Sequence, residues 1–155
     1  IVFGDWSSDV CSSDLLALVY AAAVRCRNLL YNSGLLPSHA VKVPVISIGN
    51  ITTGGTGKTP LVIWLCRYLS SKQVRCAVLT RGYKTAAGTM SDEPALLAKS
   101  CPGVQVVVNP DRVAGAEKAI REHQPQALVL DDGFQHRRIK RDLNIVAIDA
   151  TCPFG

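Results

Sequence analysis

The apolar positions of this chain fall in blocks whose period changes from segment to segment. "VPVISIGN" (43–50) is a near-continuous apolar run, the pattern of a strand buried on both faces. "KTPLVIWLCRYLSSK" (58–72) places apolar residues at 61, 62, 65, 66 and 69, the stripe of an amphipathic helix. "VRCAVLTRGY" (74–83) reads as a second strand running into a loop. "SDEPALLAKSC" (91–101) opens polar and acidic and then turns apolar, a helix start. "VQVVVN" (104–109) is a third strand. "PDRVAGAEKAIREH" (110–123) is a helix with Asn109 expected as its cap and Pro110 at its first position. "QALVLDD" (126–132) and "LNIVAID" (143–149) are two more strands. Strands that alternate with helices predict an α/β fold: a doubly wound parallel sheet with helices on both faces. Such sheets bind ligands at the carboxyl ends of their strands, where the loops at 50–57, 81–92 and 132–141 are expected.

The N-terminal part has a different pattern. "SSDVCSSDL" is a near-repeat with no apolar period, and residues 1–14 resemble a sequencing scar more than a folded element. "LLALVYAAAV" (15–24) is uniformly apolar and is followed by Arg25, Arg27 and "LLYNSGLL". Ten apolar residues are too few to cross a bilayer, which takes roughly 20 in a helix. An apolar helix over 15–36 is expected, packed on a core or lying on a membrane surface with its arginines near lipid phosphates. Periodicity does not separate the two. At the other end "IVAIDATCPFG" stops just after a strand, so the chain is expected to be a fragment with its core over 43–155.

Composition narrows the classes. With 48% apolar and 19% charged residues among 155, the chain is a folded type with enough length for a core. A net charge of +5 suits a phosphate-bearing partner without choosing among nucleotide, nucleic acid and anionic lipid. Six cysteines, at 11, 26, 66, 76, 101 and 152, show no zinc spacing and read as reduced thiols.

The candidate chemistry sits in the loops. "GNITTGGTGKTPLV" (49–62) follows a strand and opens a helix. Gly57, Lys58 and Thr59 complete a phosphate-loop pattern whose opening glycine is replaced by Thr52. Thr52, Thr53, Gly54, Gly55, Thr56 and Gly57 can wrap backbone N–H groups around a phosphate at the positive end of the next helix. Lys58 can reach the terminal phosphates, and the Thr59 hydroxyl can ligate Mg²⁺. Without a ligand, the same stretch would be a glycine-rich turn. Asp131 and Asp132 end a strand and can hold Mg²⁺, or simply cap the strand into the turn at Gly133. His136, Arg137, Arg138, Lys140 and Arg141 form a basic loop, solvated or contacting phosphate. Arg81 ends the second strand. Asp92 and Glu93 can act as base or metal ligand, or as first-turn helix acids.

Together, "VPVISIGNITTGGTGKTPLV", "LTRGY", "DEP", "NPDRVAGA" and "DDGFQHRRIKRDLNIVAID" resemble the tetraacyldisaccharide 4'-kinase family, the lipid A 4'-kinases of Gram-negative bacteria. The resemblance covers roughly 29–149 and includes the Thr52 variant of the loop. It implies a P-loop NTPase-like fold and transfer of the γ-phosphate of ATP, with Mg²⁺, to the 4'-hydroxyl of lipid A disaccharide 1-phosphate. It further implies a peripheral protein on the cytoplasmic face of the inner membrane, tethered by residues 15–36. A monomer with no nucleic-acid partner is expected. Lys58 and Thr59 would cradle phosphates and Mg²⁺. Asp92 would act in deprotonating the sugar hydroxyl. Glu93, Asp131 and Asp132 would support the metal, and Arg81, Gln135, His136 and Arg137 would lie near phosphate or substrate. Family members continue beyond this chain into a second lobe with further site residues, so the fragment alone is expected to be inactive. The residues also fit a P-loop ATPase switch acting on a protein or membrane partner. A guanine-reading NKxD pattern is absent from the sequence, and the basic loop carries no aromatic but Phe134 to stack on bases.

Overall fold

The computed structural model describes residues 12–50, 57–82, 92–134 and 136–148. The chain divides into two compact units, Ile1–Pro37 and Ser38–Gly155. In the first, helix α1 (Ser12–Asn32) begins inside the stretch set aside above as a scar and carries the apolar run. Ser33 N–H donates to Leu29 O and Leu36 N–H to Leu30 O, closing its C-terminal end. Leu18, Val19, Tyr20 and Leu29 on this helix are exposed.

The second unit contains β1 (Val45–Asn50), α2 (Lys58–Ser71), β2 (Cys76–Thr80), α3 (Asp92–Ser100), β3 (Gln105–Val108), α4 (Arg112–His123), β4 (Ala127–Asp131) and β5 (Leu143–Ala147). The five strands form one sheet in the order β3-β2-β4-β1-β5, and every pairing is parallel. Strand periodicity sorts the side chains. Val78 and Val129 face a core layer that includes Val62, Leu65 and Cys66 of α2 and Leu97 of α3. Their neighbours Leu79, Leu128 and Leu130 face Val113, Ala116 and Ala119 of α4. The sheet is therefore covered on both faces, as the continuous apolar strands predict. The expected α2 stripe is also present: Val62, Leu65 and Cys66 are buried, with Leu61 and Leu69 packed at the margin.

One boundary differs from the sequence reading. Helix α4 is capped by Asp111, whose Oδ1 accepts from Val113 N–H at 2.9 Å and Ala114 N–H at 3.3 Å. Asn109 is still tied to the sheet, donating its N–H to Thr80 O at 3.1 Å. Its side chain accepts instead from Asp111 N–H at 2.9 Å, a turn that delivers the chain to the cap. Pro110 thus precedes the cap rather than following it.

Candidate active site

Seven side chains converge around the ends of β2 and β4 at the carboxyl edge of the sheet. Gly57, at the N-cap of α2, adopts φ 71°, the left-handed region that glycine enters without steric cost. This turn starts α2 at Lys58 and directs that side chain back across the end of β1. Lys58 Nζ donates to Asn50 Oδ1 at 2.8 Å and to Asp132 Oδ1 at 3.1 Å. Asp132 itself lies just beyond β4 with φ 54°, a left-handed conformation that an aspartate tolerates better than most side chains.

A cavity of about 90 Å³ opens at this point, lined by Lys58, Thr59, Thr80, Arg81, Arg112, Asp131 and Asp132. A pocket enclosing a whole small molecule is typically about 300–1,000 Å³. This one suits the phosphate end of a larger ligand. Three cationic side chains surround two carboxylates, a balance that favours an anion accompanied by a divalent cation. Among the described residues no group of three His, Cys, Asp or Glu side chains could cage a metal. The donor set present (the Thr59 hydroxyl and the two aspartates) fits Mg²⁺, which keeps water and phosphate oxygens in its shell.

Thr80 and Arg112 join the site without having been singled out from sequence. Arg112 is the first residue of α4 and only 3% exposed. A cation at a helix N-terminus opposes the helix dipole. Here two carbonyls compensate: Nη1 donates to Asn109 O at 3.1 Å and Nη2 to Asp131 O at 3.0 Å. These two bonds fix the guanidinium at the end of β4, where it lines the pocket with the aspartates. Arg112 stands in the "NPDRVAGA" stretch, but nothing local to that stretch shows that β3 and β4 bring it there.

The basic loop divides its work. Arg141 Nη1 donates to Phe134 O at 2.9 Å and Gly133 O at 3.3 Å, bracing the turn after the aspartates. Burial, and then the neighbouring Arg137, pushes its pKa below the ordinary arginine value. Arg138 pairs with Asp111 at 3.7 Å, and its backbone carbonyl accepts from His39 N–H at 2.7 Å. His136 is half-buried; burial first, then Arg112 and Arg81, pushes its pKa below the usual imidazole value, with Asp132 opposing. The structure thus brings Lys58, Thr59, Arg81, Asp131 and Asp132 together at the cavity, while His136 and Arg137 are not among the residues that line it. Thr52, Thr53, Gly54, Gly55, Thr56 and Gln135 lie outside the described residues, as do the side chains of Asp92 and Glu93 at the start of α3.

The family model described as tetraacyldisaccharide-1-P 4'-kinase matches residues 14–155. The chain belongs to this kinase family. It is 45% identical over 153 residues to the tetraacyldisaccharide 4'-kinase of Anaeromyxobacter sp. (strain Fw109-5), covering 88% of this chain and 41% of that protein. The counterpart from Geobacter metallireducens is 41% identical over 158 residues, covering 91% and 47%. The crystal structure of "apo" form LpxK from Aquifex aeolicus in complex with ATP superposes with a TM-score of 0.75 at 40% identity, over 86% of this chain and 48% of that one. The chain thus spans less than half the length of these family members.

Proposed function

We propose that this chain carries the phosphate-binding half of a tetraacyldisaccharide 4'-kinase, which moves the γ-phosphate of ATP to the 4'-hydroxyl of lipid A disaccharide 1-phosphate. The observation that carries this reading is the position of Lys58. Its ammonium is held at the mouth of a phosphate-sized pocket, beside Thr59, between a strand-end amide and a turn carboxylate. The family membership and the ATP bound to the Aquifex protein support the same reading.

In this reading the loop over 52–57 and the N-terminus of α2 wrap the β- and γ-phosphates. Lys58, Arg81 and Arg112 offset charge that develops on the transferred group, and much of the rate comes from that pre-positioned charge. Mg²⁺, held by Thr59, Asp131 and Asp132 with Glu93 in support, supplies charge neutralisation when bound. Asp92, in the first turn of α3, takes the proton of the sugar hydroxyl. His136, whose pKa is pushed down by its burial and its cationic neighbours, lies near the phosphates in this reading, with Gln135 and Arg137 flanking it. Residues 15–36 rest on the cytoplasmic face of the inner membrane, where the acceptor lipid resides. Among the described residues no helix is long and apolar enough to cross a membrane.

The test uses the full-length protein with γ-labelled ATP, Mg²⁺ and lipid A disaccharide 1-phosphate in detergent micelles. Label should enter the lipid and be lost in Lys58→Ala and Asp92→Ala. Hydrolysis of ATP without labelled lipid would instead favour a P-loop ATPase switch.

A further inference from the structure

We propose that Asn50 is a positioning residue that holds Lys58 when Asp132 gives up its ion pair to a divalent cation. The inference rests on the kinase reading above and adds an exchange of partners to it. Lys58 has three ammonium donors, two of which go to Asn50 Oδ1 at 2.8 Å and Asp132 Oδ1 at 3.1 Å. These acceptors differ in charge and in anchorage. Asp132 is the ionic partner, so the carboxylate that neutralises Lys58 is also one a divalent cation would take. Two cations cannot both occupy one carboxylate at close range without repulsion. Asn50 is neutral, so it fixes the ammonium without cancelling the charge that phosphate must meet.

The two partners are also held differently. Asn50 is the last residue of β1, in register with Ala147 of β5. Asp132 stands past the end of β4, in a left-handed turn. An acceptor on a strand keeps its place while one on a turn can re-aim. The lysine therefore stays at the pocket mouth through the exchange, tethered on its strand side and open on its phosphate side. Without Asn50, Asp132 would be the remaining partner of the two, and cation and lysine would compete for the same oxygen.

Binding titrations of ATP to the full-length protein, with Mg²⁺ and with EDTA in its place, test this independently of phosphoryl transfer. Asn50→Ala should weaken Mg·ATP binding about tenfold, the scale of a hydrogen bond to a charged group. Metal-free ATP should change less than about threefold, because Asp132 still holds the lysine. Asn50→Asp, nearly isosteric, guards against a folding defect; it should weaken ATP binding in both conditions by capturing Lys58 permanently. Equal weakening of both forms in Asn50→Ala, or wild-type Mg·ATP affinity in Asn50→Asp, overturns the exchange and leaves the kinase reading intact. A wild-type protein that binds ATP in neither condition overturns both.

Discussion

At Gly133 a single hydrogen atom sits where any other side chain would meet the sheet. A Cβ there would lie 2.6 Å from both Leu130 Cβ and Ser47 Oγ, much closer than atoms pack. Gly133→Ala should therefore cost about 1–3 kcal/mol in urea unfolding, as overpacking does, and shift the Asp131–Asp132 turn enough to weaken Mg·ATP binding. An unchanged midpoint would show that the turn has room to move. Gly82, with φ 64°, is constrained by Val108 in the same way. At this scale the sequence was legible where chemistry is local. Gly57, Lys58 and Thr59 announce themselves by spacing, and Asp131 and Asp132 by ending an apolar strand. Asn50 as the acceptor of Lys58, and Thr80 and Arg112 as pocket residues, were not legible. The proximity of Thr80 and Arg112 to Lys58 depends on β4 lying between β1 and β2, and no stretch of the sequence records that order.

At the scale of the element, burial separates side chains that look alike in the sequence. Leu79, in β2, is 1% exposed and touches the α4 layer; Leu143, on the edge strand β5, is 51% exposed. Leu79→Ala should cost about 2–5 kcal/mol in urea unfolding and Leu143→Ala under about 1 kcal/mol. The α4 cap gives a pH signature. Backbone hydrogen bonds from Ala114 and Val113, then Arg138 and His39, hold the Asp111 carboxyl below its ordinary value. A depressed carboxylate stabilises the fold above the unfolded-state pKa, about 3.9. That contribution is lost as pH falls through the lower folded-state value. Asp111→Ala should thus melt below wild type at neutral pH, and the gap in Tm should close as the pH is taken below the carboxylate range. Helix and strand positions were legible because the periods are clean. The start of α4 was not, because Asn109, a good cap by type, is engaged by β2.

At the scale of the molecule, the chain divides into two units, and the proposed function places membrane contact in the first and nucleotide in the second. Helix α1 exposes Leu18, Val19, Tyr20 and Leu29, and Arg25 and Arg27 follow its apolar run. Removing residues 1–37 from the full-length protein should abolish co-sedimentation with anionic vesicles. Mg·ATP affinity should stay within about twofold, since a peripheral helix contributes through buried apolar area and attraction to anionic lipid. Vesicle binding that survives the deletion would move the membrane contact to the second unit. The sequence left this helix between core and lipid because ten apolar residues read the same in either place.

The strand order also has a history in time. The neighbours of β1 are β4 and β5, so Val45 waits for Leu128 and Ile46 for Leu143. During synthesis the strand that leads into the phosphate loop leaves the ribosome long before either neighbour exists. Chains fold in domain-sized units from the N-terminus, and distant pairings form late. Among the strands of the sheet, the run "VPVISI" is therefore the one a nascent chain leaves without neighbours longest, and a stretch for a chaperone to cover.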